Sequence, residues 1–244
     1  MSDILRVRGL HAGYGAGDIL KGIDLALGRG RIVTIIGPNG SGKSTLIKTL
    51  AGLLPARQGE IELEGARLNA MSAPKRVRAG VAYVPQEYNV FRNLTVLENL
   101  KIAREFMGPN AGSGRALDAE LTALFPELPP HFKTKAGNLS GGQRQMLAFA
   151  CALAVRPKVL MLDEPSAGLS PKYMGEVFDK VRRVNALGVS ILMVEQNAIE
   201  SLRISHTCIV LAGGRVRKVA PADEVLRMPD LNSLYLGDAH AALS

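Results

Sequence analysis

One short stretch constrains this chain more than any other. Residues Gly37 to Thr45 read GPNGSGKST, a match to G-x-x-x-x-G-K-[ST]. The apolar run Ile32 to Ile36 precedes it, and KSTLIKTLAGLL follows with the composition of a helix. A strand, a glycine-rich turn and a helix in that order aim backbone N–H groups and a helix N-terminus at one point, which suits phosphate. Gly40 and Gly42 let the backbone bend close to the phosphates, Lys43 is expected to reach the β and γ phosphates, and the Ser44 hydroxyl is expected to ligate Mg²⁺. Gly37, Pro38, Asn39, Ser41 and Thr45 complete the expected contact set. An ordinary glycine turn is the bland alternative, and the flanking strand and helix argue against it.

The rest of the chain supplies a setting for that loop. With 244 residues and 47% hydrophobic composition, one sizeable core and a single α/β domain are expected. Strand signals fall at Leu5 to Val7, Asp24 to Leu27 and Val81 to Val84, with a hairpin-like segment, GEIELEG, at Gly59 to Gly65. From Glu87 to Leu139 helical spacing takes over, which predicts an insert at 87–139 between core segments 1–86 and 140–244. Within it Thr95 and Glu98 have capping-box spacing ahead of LENLKIAREFM, and GPNAGSG at Gly108 to Gly114 reads as a flexible turn. Alternation then resumes: a helix over Met146 to Ala154, a strand at Val159 to Leu162, a helix from Tyr173 to Leu187 with Val177, Val181 and Val184 on one face, and strands at Val189 to Val194 and Cys208 to Leu211. Buried runs bounded by helices predict a mostly parallel sheet covered on both faces.

Two further patterns carry chemistry. The apolar run Val159 to Leu162 breaks into Asp163 and Glu164, and in a parallel sheet ligands sit at the carboxyl ends of strands. Asp163 is expected to hold Mg²⁺ through water, and Glu164 to orient or deprotonate the water that attacks the γ-phosphoryl group. Capping of the next turn is the simpler reading of these acids. Residues Leu139 to Gln143 spell LSGGQ, where Ser140 and Gln143 have capping-box spacing. Gly141 and Gly142 weaken a helix start unless something approaches the backbone closely, so Ser140 to Gln143 read as a second anion site.

Composition excludes other classes. Cys151 and Cys208 lie in apolar surroundings and read as core residues of a reduced cytosolic protein. The net charge of +8 is scattered and not interleaved with aromatics, so solvated surface is expected and nucleic acid is not. The opening MSDILRVRG lacks the apolar stretch of a secretory signal. No apolar run approaches the roughly 18 to 20 residues that cross a bilayer, so work at a membrane requires a separate partner.

These motifs, in this order, resemble the ATP-binding cassette (ABC) family over nearly the whole chain. The resemblance implies a P-loop nucleotide hydrolase of the ABC type: a mostly parallel core, an N-terminal antiparallel β subdomain and an inserted α-helical subdomain, with ATP and Mg²⁺ as ligands. It makes Tyr14, in GYG, the aromatic that stacks on adenine, although alone it reads as a hairpin tyrosine. Gln86 becomes the glutamine that senses Mg²⁺ and joins the core to the insert, and Ser166 to Ser170 the segment crossing a dimer interface. LSGGQRQMLAFACAL, LDEPSAGLSP, ILMVEQNA and the ending YLG at Tyr235 to Gly237 are similar to the ATPase subunits of branched-chain amino-acid importers; VPQEYNVF is a less typical match. In that subgroup Gln196 stands where most family members carry a histidine, and Ser170 where many carry aspartate. A glutamine amide donates a hydrogen bond but shuttles no proton, which leaves more of the catalysis to Glu164.

The resemblance further implies a head-to-tail pair, each nucleotide lying between Lys43 of one subunit and Ser140 to Gln143 of the other. The second ATPase is a copy or a relative, and the further partners are transmembrane permease subunits and, indirectly, a solute-binding protein. It places the chain peripherally on the cytoplasmic face of the inner membrane. Rival readings are a soluble ABC ATPase acting on ribosomes or DNA, a regulatory module that binds ATP without hydrolysing it, and transporters of urea, amides, other amino acids or lipopolysaccharide.

Overall fold

The computed structural model describes residues 2–105 and 114–228. The chain starts with an antiparallel pair, β1 (Asp3–Ala12) and β2 (Leu20–Gly28). Leu5, Val7, Leu10 and Ala12 of the first and Leu20, Ile23, Leu25 and Leu27 of the second are buried, so apolar residues gather on one face of the pair. β3 (Ile32–Ile36) runs into the phosphate loop and then into α1 (Lys43–Ala51). β4 (Gln58–Leu63) and the short β5 (Ala66–Arg67) form the hairpin expected from GEIELEG, turning at Glu64 and Gly65.

α2 (Ala73–Ala79) then sends the buried Arg76 back to α1. Its Nη1 donates to the carbonyls of Thr49 and Leu50, both at 2.8 Å. A cation on the last carbonyls satisfies orphan acceptors at the negative end of α1 and fixes the helix that carries Lys43.

β6 (Val81–Val84) leads into a segment that, among the described residues, holds helices and 3₁₀ turns but no strand: α3 (Val96–Glu105) and α4 (Gly114–Leu124). The Thr95–Glu98 capping box is formed, with Thr95 N donating to Glu98 at 2.7 Å and Glu98 N to the Thr95 hydroxyl at 3.2 Å. Most of the GPNAGSG turn lies outside the described residues, as does YLG at 235–237.

The chain continues through α5 (Gly141–Ala154), β7 (Val159–Asp163), α6 (Pro171–Ala186), β8 (Ser190–Val194), α7 (Ala198–Arg203), β9 (Thr207–Ala212), β10 (Arg215–Pro221) and α8 (Ala222–Leu226).

Two sheets result. One is antiparallel, in the order β2-β1-β4-β5. The other has the order β10-β9-β3-β8-β7-β6 and is parallel except for its edge strand β10. Strand alternation divides the core of the second sheet. Leu160, Leu162, Ile191 and Met193 pack with α3, α5 and α6, while Val159, Met161, Leu192 and Val194 pack with α1 and the antiparallel sheet. With helices on one side and α1 and a second sheet on the other, every residue of β3, β7 and β8 is buried. Cys208 is buried and Cys151 partly so; neither forms a disulfide, and burial pushes both thiols up to about 12.

Candidate active site

The phosphate loop leaves the carboxyl end of β3 and closes on α1. A Cβ added to Gly37 would meet the Leu211 carbonyl oxygen at 2.1 Å, so only glycine lets the loop start against β9. Gly42, at φ 105°, occupies the left-handed region that frees α1 to begin at Lys43. The Lys43 ammonium donates to the carbonyls of Gly37 at 2.7 Å and Pro38 at 3.2 Å, which holds it across the loop. Burial pushes its pKa below the ordinary lysine value, against the charges of Glu164, Asp163 and Glu195. Asn39 to Thr45, Ile19 and Glu164 line one cleft, so the predicted loop residues and the predicted base share a wall.

Asp163 ends β7 beside this cleft. Its Oδ1 accepts from the Ser44 hydroxyl at 3.3 Å and its Oδ2 from the Tyr83 hydroxyl at 3.0 Å. Burial raises its pKa, opposed chiefly by the Tyr83 hydrogen bond. Among the described residues no cluster of three or more His, Cys, Asp or Glu side chains forms a metal cage. A hydroxyl and one buried carboxylate at the edge of a phosphate cradle instead suit Mg²⁺, which keeps waters and takes phosphate oxygens as ligands.

Glu164 has a positive φ of 48°, a conformation that costs a non-glycine residue roughly 1–2 kcal/mol. Its N–H donates to the Val194 carbonyl at 2.9 Å, so the strained turn is anchored to β8. The carboxylate accepts from two amides: Gln196 Nε2, at 2.9 Å to Oε1 and 2.8 Å to Oε2, and Gln86 Nε2, at 3.1 Å to Oε2. Gln86, expected beside the metal, therefore rests on Glu164, whereas Ser44 and Asp163 meet each other. Two more residues of the centre, Tyr83 and Glu195, are given no role by the sequence motifs. Glu195 ends the apolar run of β8 as Asp163 ends that of β7, so the same pattern marked it.

Ser140 caps α5 in a complete capping box: Gln143 N donates to the Ser140 hydroxyl at 3.2 Å, and Ser140 N to the Gln143 side chain at 3.0 Å. The simpler reading of this motif is thus realised, and the two glycines still need explaining. A Cβ on Gly142 would meet the Tyr173 ring at 2.5 Å, so this glycine serves packing against α6. At Gly141 the nearest contact would be 3.6 Å, and the residue is exposed, leaving the helix N-terminus open to an anion. Among the described residues, those lining the phosphate-loop cleft include none of Ser140 to Gln143.

Tyr14 is 54% exposed in the loop between β1 and β2. Arg57 fixes that loop through the Gly13 carbonyl at 3.2 Å and Asp18 at 2.7 Å. Ile19, at the loop's far end, lines the phosphate cleft, so the exposed ring stands on a segment that adjoins it.

A glycine cradle after β3 closed by a buried lysine, with a hydroxyl–carboxylate pair and a second acid at the carboxyl end of β7, defines a P-loop nucleotide hydrolase. Residues 20–167 match the family described as ABC transporter. The chain is 44% identical over 235 residues to the probable branched-chain amino acid transport ATP-binding protein LivF of Archaeoglobus fulgidus, covering 96% of this chain and 99% of that one. It is 32% identical to the lipopolysaccharide export ATP-binding protein LptB of Acidithiobacillus ferridurans, covering 98% of both. Its fold matches the ADP conformation of an ATP-binding cassette of an ABC transporter with a TM-score of 0.83 at 26% identity, covering 97% of this chain and all of the other. The chain belongs to the ABC transporter family and is an ATP-hydrolysing, ATP-binding subunit of that kind. Among the described residues no helix is long and apolar enough to cross a membrane.

Proposed function

We propose that this subunit energises uptake of branched-chain or related amino acids, working as half of a head-to-tail pair of cassettes beneath transmembrane permease subunits. The observation that carries the pairing is the separation, within one chain, of the open α5 N-terminus at Gly141 from the cleft that holds Lys43. One γ-phosphate needs both, and a second cassette supplies the missing half. ATP bridging the two halves favours the closed pair, and loss of phosphate favours opening.

In this reading the phosphate-loop amides and Lys43 hold the β and γ phosphates, and Tyr14 stacks on adenine. Ser44 and Asp163, with Gln86 nearby, would hold Mg²⁺, which supplies positive charge to the phosphate oxygens. Glu164 orients or deprotonates the attacking water, held by the amides of Gln196 and Gln86. Ser140 to Gln143 present the second anion site across the interface. Residues 1–86 and 140–244 act as the nucleotide-binding core, and the 87–139 insert passes motion to the permease. The chain then lies peripherally on the cytoplasmic face of the inner membrane, and a solute-binding protein delivers the amino acid.

The 44% identity to the Archaeoglobus protein supports the substrate class, and the LptB relative supports lipopolysaccharide export as the second reading. Uptake of radiolabelled leucine by cells carrying the native chain or Lys43→Ala separates them. Leucine uptake lost only with Lys43→Ala supports import. Unchanged uptake with an envelope defect supports export.

A further inference from the structure

We propose that Glu195 is a positioning residue for ATP hydrolysis: one buried carboxylate ties the Gln196 main chain to the segment beginning at Ser166, and so fixes the amide that grips Glu164. This rests on the reading that Glu164 acts on the attacking water.

Glu195 directly follows β8, and its own N–H donates to the Ile35 carbonyl at 3.1 Å, which anchors it to the strand that feeds the phosphate loop. Its side chain is only 1% exposed overall. Oε1 accepts from the Ser166 N–H at 3.0 Å, and Oε2 from the Ser166 hydroxyl at 3.0 Å and the Gln196 N–H at 3.2 Å. A carboxylate removed from water is expensive unless donors surround it, and these donors come from the two loops that flank Glu164. Ser166 lies two residues beyond Glu164 in sequence, and Gln196 donates to both Glu164 oxygens. Packing alone does not explain an acid here, because an apolar residue would extend β8. Two acceptor oxygens let a single side chain hold both loops in register. A displaced Gln196 leaves the Glu164 carboxylate on its strained turn held by the Gln86 amide without the Gln196 grip, while the phosphate loop keeps its own hydrogen bonds.

The test uses the purified full chain with Mg²⁺ and ATP, measuring phosphate release across ATP concentrations and thermal unfolding. It compares Glu195→Gln, Gln196→Ala, the double variant and Glu164→Gln. Glu195→Gln keeps side-chain volume and one acceptor oxygen, so the fold survives. The expected result is a kcat lowered roughly tenfold with KM for ATP within about twofold, as for supporting residues around other reacting centres. In the double variant the Gln196 change then adds little beyond Glu195→Gln. A wild-type kcat in Glu195→Gln, a KM that rises as far as kcat falls, or fully additive losses would overturn the proposal. Retained turnover in Glu164→Gln overturns the reading of Glu164 and this proposal with it; an inactive Glu164→Gln beside a fully active Glu195→Gln overturns this proposal alone.

Discussion

The side-chain amide of Gln196 donates to both carboxylate oxygens of Glu164, at 2.9 and 2.8 Å. An amide of this kind orients a carboxylate and takes no proton from it, so the proposed proton-accepting role rests on the acid. The ranking of these two residues follows from that asymmetry.

Replacing Glu164 by Gln removes the proposed base but leaves the Lys43 hydrogen bonds to the phosphate loop in place. ATP binding is expected to persist while kcat falls by about 100-fold or more. Fluorescent-nucleotide titration and phosphate release measure the two effects separately, and unchanged turnover would remove the assigned base.

Gln196→Ala frees the Glu164 carboxylate on one side, while Gln86 still donates to it at 3.1 Å. A loss of roughly tenfold in kcat is expected, smaller than for Glu164→Gln. An equal or larger loss in the same assay would reverse the ranking.

The two glycines of LSGGQ part company under substitution. Gly142→Ala drives a methyl into the Tyr173 ring and is expected to lower stability by about 1–3 kcal/mol, read as a drop in Tm. Gly141→Ala meets only ordinary contact, so Tm should hold while a methyl obstructs the open helix end and weakens ATP-driven association about tenfold. The opposite pattern would assign the two roles the other way round.

Burial pushes the Glu195 carboxyl from its ordinary value of 4.5 up to about 7, against the N–H groups of Ser166, Gln196 and Asn197 and the Ser166 hydroxyl, with the Lys43 charge in range. Between those values the folded chain keeps a proton that the unfolded chain has released. This contribution to stability is complete below pH 4.5 and is lost as pH rises through 7, with a slope of at most about 1.4 kcal/mol per pH unit. Glu195→Gln abolishes that slope, so its stability relative to the native chain should rise from pH 5 to pH 7.5 in urea titrations. A constant difference would show that the carboxyl does not titrate in this window.

Part of this site was plain in the sequence because each motif is short and contiguous. β3 and β6 matched their expected bounds because strands largely covered on both faces read as mainly apolar runs. The phosphate loop and the Asp163–Glu164 pair were found for the same reason, each standing at the end of such a run. β10 is not legible in the sequence because RVRKVAP is an edge strand with exposed charges, and α2, α7 and α8 are too short for a clear helical period. The links that organise the centre are long-range: Glu164 to Gln196, Tyr83 to Asp163, Ser166 to Glu195. The first and third depend on the parallel register that sets Asp163 beside Val194, and the second on the register that sets Tyr83 beside Met161; spacing along the chain reveals neither.

The central claim is that the Lys43 cleft and the Gly141 helix end are completed by one another across two chains. Sedimentation velocity of purified Glu164→Gln with Mg²⁺ and ATP, then with ADP, tests it most directly. A dimer with ATP that returns to monomer with ADP is the predicted result. A chain that binds ATP yet sediments as a monomer under both conditions would contradict it.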